Sequence, residues 1–241
     1  MHPVQDLVAI VGGLGPLASA AFVTTIYERT TGRREQDMPR VLLWSDPQFP
    51  DRTSALLEGR GDLLAEHLRD VVERCEAMGA TRIVICCVTV HAVLPLLPPR
   101  LQTRIVSLVD VLLFAVVERQ RPQLLLTTLG TRHTRMLEQH PLWKEASRWL
   151  LWPGETDRER LHQAIYDMKR GGGPADAAAL VEALLRRHRV GSFVAACTEL
   201  HLVTRYWSTH PPVAYIDPLA IIADQVAAPL ACATPRQAGA R

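Results

Sequence analysis

Two cysteines open near-copies of one short motif, Cys87-Val88-Thr89-Val90-His91 and Cys197-Thr198-Glu199-Leu200-His201. Each follows a run of small and apolar residues, Ile83 to Cys86 and Phe193 to Ala196, of the kind that makes a buried strand. A thiol at a strand end just ahead of a helix meets the free N–H groups of the first turn. These lower its pKa from about 8.5 toward neutrality and favour the thiolate. Two such thiols approaching one ligand from opposite sides supply a base and an acid on opposite faces of one carbon. The thiolate removes a proton and the facing thiol returns one, which is what inversion of a stereocentre requires.

The elements that must position this pair recur in two halves. Cys87 and Cys197 stand 110 positions apart, and the flanks keep step. Ile105-Val106-Ser107-Leu108-Val109-Asp110 answers Val213-Ala214-Tyr215-Ile216-Asp217, and Val8-Ala9-Ile10-Val11 with Gly13-Leu14-Gly15 answers Leu124-Leu125-Leu126-Thr127 with Leu129-Gly130. A repeat of about half the chain length signals two related domains rather than a solenoid. The alternation of apolar runs with amphipathic stretches predicts strands near 7–12, 40–45, 82–87, 105–108, 123–127, 148–152, 192–197 and 213–216, with helices between them. Short strands separated by longer helical patterns give parallel sheets with βαβ crossovers. In the stretch Gly61 to Arg74, Leu64, Leu68, Val71 and Val72 form one apolar helical face, opposite a charged one. The proline clusters at Pro95 to Pro99 and at Pro211-Pro212 read as crossing points between the halves. They divide the chain into 1–102 plus 209–241, carrying Cys87, and 103–208, carrying Cys197. Thr234 to Arg241 reads as a frayed tail.

Composition narrows the class. With 48% hydrophobic and 22% charged residues in 241, the chain can bury a good core. A net charge of +2, with basic residues scattered among acids, leaves no footprint for nucleic acid. The exception, Arg186-Arg187-His188-Arg189, reads as a helix end where the dipole favours cations. No uncharged run reaches the length of a membrane span, and Met1 to Asp6 resembles no secretory signal, so a cytoplasmic protein is expected. Five cysteines without compact spacing make no disulfide framework. Cys75 and Cys232 read as packing residues in helices. Cys86 points to the face opposite Cys87 by the period-two rule, into the core.

Several segments together resemble a known family: Gly12-Gly13-Leu14-Gly15-Pro16-Leu17-Ala18, Pro47 to Thr53, the Cys87 motif, Leu129-Gly130-Thr131, Ile165-Tyr166-Asp167-Met168-Lys169 and Ala196 to Leu200. Over nearly its full length the chain resembles the aspartate/glutamate racemases, the cofactor-independent amino-acid racemases, and most closely their aspartate racemase branch. The resemblance implies an α/β fold of two pseudo-symmetric domains with mainly parallel sheets and the active site in the cleft between them. It implies a homodimer that takes a small acidic amino acid and needs neither cofactor nor metal. Cys87 and Cys197 would be the acid/base pair. Thr89, Thr131 and Thr198 would hold the α-carboxylate, and Arg52 and Lys169 would face the side-chain carboxylate. Hydroxyls and N–H groups suit a carboxylate at a helix start, and a guanidinium fork suits a second one. One position departs from the pattern: Val88 stands where the family usually has asparagine.

Other readings of the same residues stay open. Gly12 to Gly15 resembles part of a dinucleotide fingerprint, but Pro16 opens the next helix and no acidic residue follows a second strand at the right distance, which favours a tight turn with Leu14 lining the substrate pocket. Cys87, His91, Cys197 and His201 have the ligand types of a structural zinc site. The same fold also serves isomerases and decarboxylases that use one cysteine, and a catalytically weak sensor of acidic amino acids. Lys169, before Gly171-Gly172-Gly173, is either a ligand contact or a partner of the helix C-terminus. Glu199 either touches an amino group or holds its loop.

Overall fold

A computed structural model describes residues 6–208 and 211–228. Among these residues, eight strands form two parallel four-stranded sheets. The first contains β1 (Leu7–Gly12), β2 (Arg40–Ser45), β3 (Arg82–Ile85) and β4 (Ile105–Val106), in the order β2-β1-β3-β4. The second contains β5 (Gln123–Thr127), β6 (Leu150–Leu151), β7 (Ser192–Ala196) and β8 (Ala214–Ile216), in the order β6-β5-β7-β8. The two orders are the same once the second is renumbered, so the duplication read from the cysteine motifs extends to topology. All eight expected strands are present, several shorter than the apolar run that signalled them.

In each sheet the chain leaves one central strand toward one edge and the other central strand toward the opposite edge. The connections after β1 and β3, and after β5 and β7, therefore diverge. Open α/β sheets bind ligands beyond the carboxyl ends of strands whose connections diverge in this way. Gly13 and Leu14 follow β1, Cys87 follows β3, Thr128 follows β5 and Cys197 follows β7.

The core explains why the halves sit together. Val8, Ile10, Val84 and Cys86 of the first half pack with Leu125, Val194 and Ala196 of the second in one central apolar cluster. Alternate residues Ala9, Val11, Ile83, Ile85 and Cys87 turn to a cluster of the first half alone, and Leu124, Leu126, Ala195 and Cys197 to one of the second. The period-two alternation of a strand thus sends Cys86 inward to the shared core and Cys87 to the other face, as the sequence predicts. Leu64, Leu68, Val71 and Val72 are buried on the Gly61–Ala77 helix, together with Cys75. Arg186, Arg187 and His188 end the Pro174–His188 helix, and both Arg187 and His188 reach buried Asp157.

Strand pairing corrects the placement of the domain boundaries for two short strands. β4, expected with the second half, pairs with β3, and β8, expected with the first, pairs with β7. The chain crosses over after these strands rather than before them. The Leu108–Arg119 helix that follows β4 packs on β7 and β8, and the Pro218–Ala227 helix that follows β8 packs on the Pro16–Glu28 helix of the first half. Pro95 lies inside a 3-10 stretch and Pro99 opens the short Pro99–Gln102 helix, so pairing to a neighbouring buried strand, not proline, decides where β4 and β8 belong. Cys232 and the tail from Thr234 lie outside the described residues. No helix among the described residues is long and apolar enough to cross a membrane.

A second correction concerns the segment after Cys87. It is a 3-10 stretch, Thr89–Leu96, with Pro95 inside it, rather than an α-helix. Pro95 lacks an N–H and its ring opposes α-helical continuation. The segment after Cys197 is α-helical but short, Leu200–Tyr206. Helix dipoles consequently act weakly on both thiols, and the charges around them come from side chains.

Candidate active site

Cys87 and Cys197 lie at matched strand ends, 6% and 5% exposed. The histidine four residues after each holds its cysteine segment differently. His91 Nδ1 lies 2.8 Å from the Cys87 carbonyl oxygen, and its Nε2 accepts the Leu108 N–H at 3.1 Å. Since Leu108 N–H can only donate, the His91 proton belongs on Nδ1 and the ring is neutral. Burial agrees, pushing its pKa down to about 4. His201 lies with Nδ1 2.6 Å from Asp217 and Nε2 2.9 Å from Thr25. Asp217 also caps the Pro218–Ala227 helix through the Leu219 and Ala220 N–H groups. Burial opposes its ionisation, but His201, Thr204 and these N–H groups outweigh it and hold its pKa below the usual carboxylate range. Ser107 caps the Leu108–Arg119 helix at the matching position. The two caps, 110 positions apart like the cysteines, give a closer alignment of the halves than pairing Asp110 with Asp217. All four imidazole nitrogens are engaged away from the sulfurs, and the described residues contain no group of three or more His, Cys, Asp or Glu placed to hold a metal ion.

Arg52, first residue of the Arg52–Leu57 helix, is 7% exposed. It donates through Nη2 to the Leu14 carbonyl at 2.5 Å, and through Nη1 to Pro50 at 3.1 Å and Phe49 at 3.5 Å. Its Nε is buried without a hydrogen-bond partner. Burial disfavours the guanidinium charge, but Cys87, Asp51 and Glu199 beside it outweigh that effect. The Leu14 it holds is buried in the turn after β1, where Gly13 adopts φ +84° and a Cβ would strike the Asp46 backbone. The tight-turn reading of this glycine segment accounts for that geometry.

Lys169 ends the Glu155–Lys169 helix and extends over the Tyr166 ring, 4.8 Å from its centroid, to within 3.7 Å of Glu199 Oε1. Its charged form prevails because Glu199, Cys197 and Cys87 outweigh burial. Glu199 is itself buried, and its other oxygen accepts the Cys197 thiol at 2.9 Å. Burial first, and then the Glu199 charge, push the Cys197 thiol pKa far up, with Lys169 opposing. Oε1 of Glu199 has no hydrogen-bond partner.

The three threonines divide into two groups. Thr89 and Thr131, from opposite halves, meet at 2.8 Å, and both touch Thr128, at 3.0 and 3.1 Å. This buried hydroxyl cluster forms at the start of the short Leu129–Thr134 helix, which Thr128 caps. Thr198 instead donates to the Cys86 carbonyl at 3.1 Å and ties the two cysteine segments together. Val88, at the matching position, lies in the central apolar cluster beside Cys86. Two contacts close the mouth between halves. Tyr166 donates to Asp51 at 2.9 Å, and Gly130 approaches Thr53 so closely that a Cβ would stand 2.6 Å from its Oγ1.

Two thiols, two cations, one carboxylate and a hydroxyl cluster thus meet where the strand ends of both halves converge. A match to the Asp/Glu/Hydantoin racemase family model runs over residues 11–226. The chain belongs to this family. Solved structures of racemases share the fold of this racemase-family chain. An aspartate racemase of Picrophilus torridus is 22% identical, with a TM-score of 0.74 over 92% of this chain and 94% of that one. A putative Asp/Glu racemase from Yersinia pestis is 19% identical, with a TM-score of 0.66 over 92% and 98%. A glutamate racemase from Campylobacter jejuni subsp. jejuni is 14% identical, with a TM-score of 0.58 over 90% and 83%. Membership supports an amino-acid racemase.

The sequence leaves Glu199 between touching an amino group and holding its loop, and points to no role for Thr128, Asp51 or Tyr166. Thr128 carried a usable signal, a threonine just ahead of a helix start. The Tyr166–Asp51 contact links residues 115 positions apart and carries no local signal.

Proposed function

We propose that this chain is a cofactor-independent racemase of a small acidic amino acid, aspartate first, working by two-base proton transfer between Cys87 and Cys197. The observation that carries the reading is a pair of buried polar atoms at the site without a hydrogen-bond partner: a donor, Arg52 Nε, and an acceptor, Glu199 Oε1, which has only the Lys169 ammonium 3.7 Å away. Buried polar groups without partners are rare, and such a pair suits a ligand bearing both a carboxylate and an ammonium group. In the reaction the C–H bond on one face breaks as one sulfur takes the proton. The other sulfur then gives its proton to the opposite face, and the sulfurs exchange protonation states. The weakly acidic α-proton makes stabilisation of the developing carbanion the demanding part. The hydroxyl cluster of Thr89, Thr128 and Thr131 would hold the α-carboxylate, Lys169 and Arg52 would supply positive charge, and burial would exclude water. Thr198 would act through the Cys86 carbonyl. The reading includes a cytoplasmic homodimer needing neither metal nor cofactor.

A second reading, racemisation of a different amino acid, draws on another observation. Glu199 already neutralises Lys169, and both terminal nitrogens of Arg52 are bound to backbone carbonyls, so the cations are only partly free for a second substrate carboxylate. Proton NMR in D₂O with L-aspartate, L-glutamate and a panel of neutral L-amino acids, read alongside chiral chromatography, tests both. Loss of the α-proton signal with appearance of the D-isomer identifies the substrate, whereas no exchange with any of them overturns the racemase reading.

A further inference from the structure

His162, Tyr166 and Lys169 stand at i, i+4 and i+7 of the Glu155–Lys169 helix, a spacing that places them on one face. The half-buried His162 ring packs on the Tyr166 ring, with 4.4 Å between centroids and a tilt of 50°. The Lys169 ammonium lies over that same Tyr166 ring, whose hydroxyl reaches Asp51. His162 also makes a bond of its own: Nδ1 accepts the Leu129 N–H at 3.4 Å. Leu129 opens the short helix that Thr128 caps, so its N–H belongs to the first turn and has no acceptor within that helix. The bond therefore fastens the turn that carries Thr128 and Thr131 to the helix that carries Lys169, and nothing in the two-thiol reaction calls for an imidazole there.

We propose that His162 is a positioning residue, one that holds the hydroxyl-bearing turn against the Lys169 helix only while its ring is neutral. The Leu129 N–H can only donate, so Nδ1 must keep its lone pair and the ring proton belongs on Nε2. Protonation would make Nδ1 a second donor facing the Leu129 N–H, and would set a second cation against the Tyr166 ring that already carries Lys169. Two charges act on the imidazole: Lys169, from its own helix, and Asp51, from the segment ahead of the Arg52–Leu57 helix. Burial first, and then Lys169, push its pKa below the ordinary value of 6.5, with Asp51 opposing. The bond is therefore intact at neutral pH and is lost on the acid side. For what the turn holds, a substrate α-carboxylate, the inference rests on the racemase reading, while the coupling of ring to turn does not.

NMR of the substrate-free native protein against pH tests the coupling, with the His162 ring signal identified by its loss in His162→Asn. The ring should titrate with a midpoint below 6.5, and the Leu129 amide and Tyr166 ring signals should move at the same midpoint. With the substrate found in the exchange panel, KM should rise about fivefold as pH falls through that midpoint, the loss of one hydrogen bond, while kcat changes less. In His162→Asn the side-chain oxygen can accept the Leu129 N–H but does not titrate, so this acid rise in KM should disappear. His162→Phe keeps a ring on Tyr166 without an acceptor, so its KM should already be raised at neutral pH. A ring midpoint at or above 6.5, a Leu129 amide that ignores the ring's titration, or the same acid rise in KM in the native and His162→Asn proteins overturns the proposal, as does a native KM in His162→Phe. Because the NMR needs no substrate, a coupled titration in a protein that exchanges no amino acid would retain the role of His162 while removing the racemase reading. Exchange with a silent Leu129 amide would do the reverse.

Discussion

Tyr166, on the last turns of the Glu155–Lys169 helix, donates its hydroxyl to Asp51 across the mouth of the cleft at 2.9 Å, and its ring carries the Lys169 ammonium. Asp51 meanwhile caps the helix that begins with Arg52 by accepting the Ser54 N–H at 2.8 Å. Burial works against its charge, but the Ser54 N–H, Tyr166 and Arg52 outweigh it and keep its pKa below the ordinary range. One hydroxyl therefore joins the two halves at the point where both site cations are anchored.

Tyr166→Phe should loosen this clasp while leaving the ring under Lys169. A hydrogen bond to a partly exposed carboxylate contributes about 1 kcal/mol, equivalent to roughly fivefold. The expected outcome is a rise of that size in KM for the substrate found in the exchange panel, with kcat changed less. An unchanged KM would mean that closure does not depend on the clasp.

The Val88 position separates the chemistry of this chain from the family pattern. Its side chain is 1% exposed and packs in the central cluster with Cys86. Val88→Asn would place an amide among apolar groups, at a cost of about 1–3 kcal/mol. For a domain of this size that lowers Tm by about 2–10 °C. We expect calorimetry to report the drop without any gain in aspartate turnover. A gain with an unchanged Tm would mean that the side chain reaches the substrate.

What is legible in the sequence depends on the kind of information. Strands such as β1 and β7 are continuous apolar runs, and the two cysteine motifs announce their own symmetry, so sheets, duplication and thiol pair are all legible. β4 and β8 are two and three residues long, and pairing rather than pattern assigns them to a sheet. The Thr89, Thr128 and Thr131 cluster arises only when the halves meet. Glu199 was visible as a residue, but its bond to Cys197 depends on the turn after β7.

His91 provides a pH signature. Its folded pKa of about 4 lies below the model-peptide value of 6.5. Above pH 6.5 the ring is neutral in both folded and unfolded chains, so its contribution is fully present. As pH falls toward 4 the unfolded chain binds the proton first and the folded state loses stability. The loss is about 2 kcal/mol between pH 6.5 and 5, and about 3 kcal/mol in full. Urea unfolding at pH 7 and pH 5 should show this difference in the native protein and a smaller one in His91→Asn. Equal slopes in the two proteins would remove His91 as the cause.

Arg52 offers the sharpest choice between two roles. If its guanidinium reads a side-chain carboxylate, Arg52→Lys should hurt dicarboxylic substrates and spare neutral ones. The structure commits its two terminal nitrogens to Leu14, Pro50 and Phe49, leaving Nε as the buried donor without a partner. A lysine keeps the charge but cannot span three carbonyls and Cys87 at once, because its ammonium is a point rather than a planar fork. Losing two such bonds, at about 1.5 kcal/mol each for a charged donor, corresponds to roughly a hundredfold. We therefore expect kcat to fall by about that factor on every amino acid the native enzyme accepts, with little change in their ranking. A loss confined to dicarboxylic substrates would mean that the guanidinium leaves its carbonyls for the ligand, and side-chain reading would then belong to Arg52 as well as to Lys169.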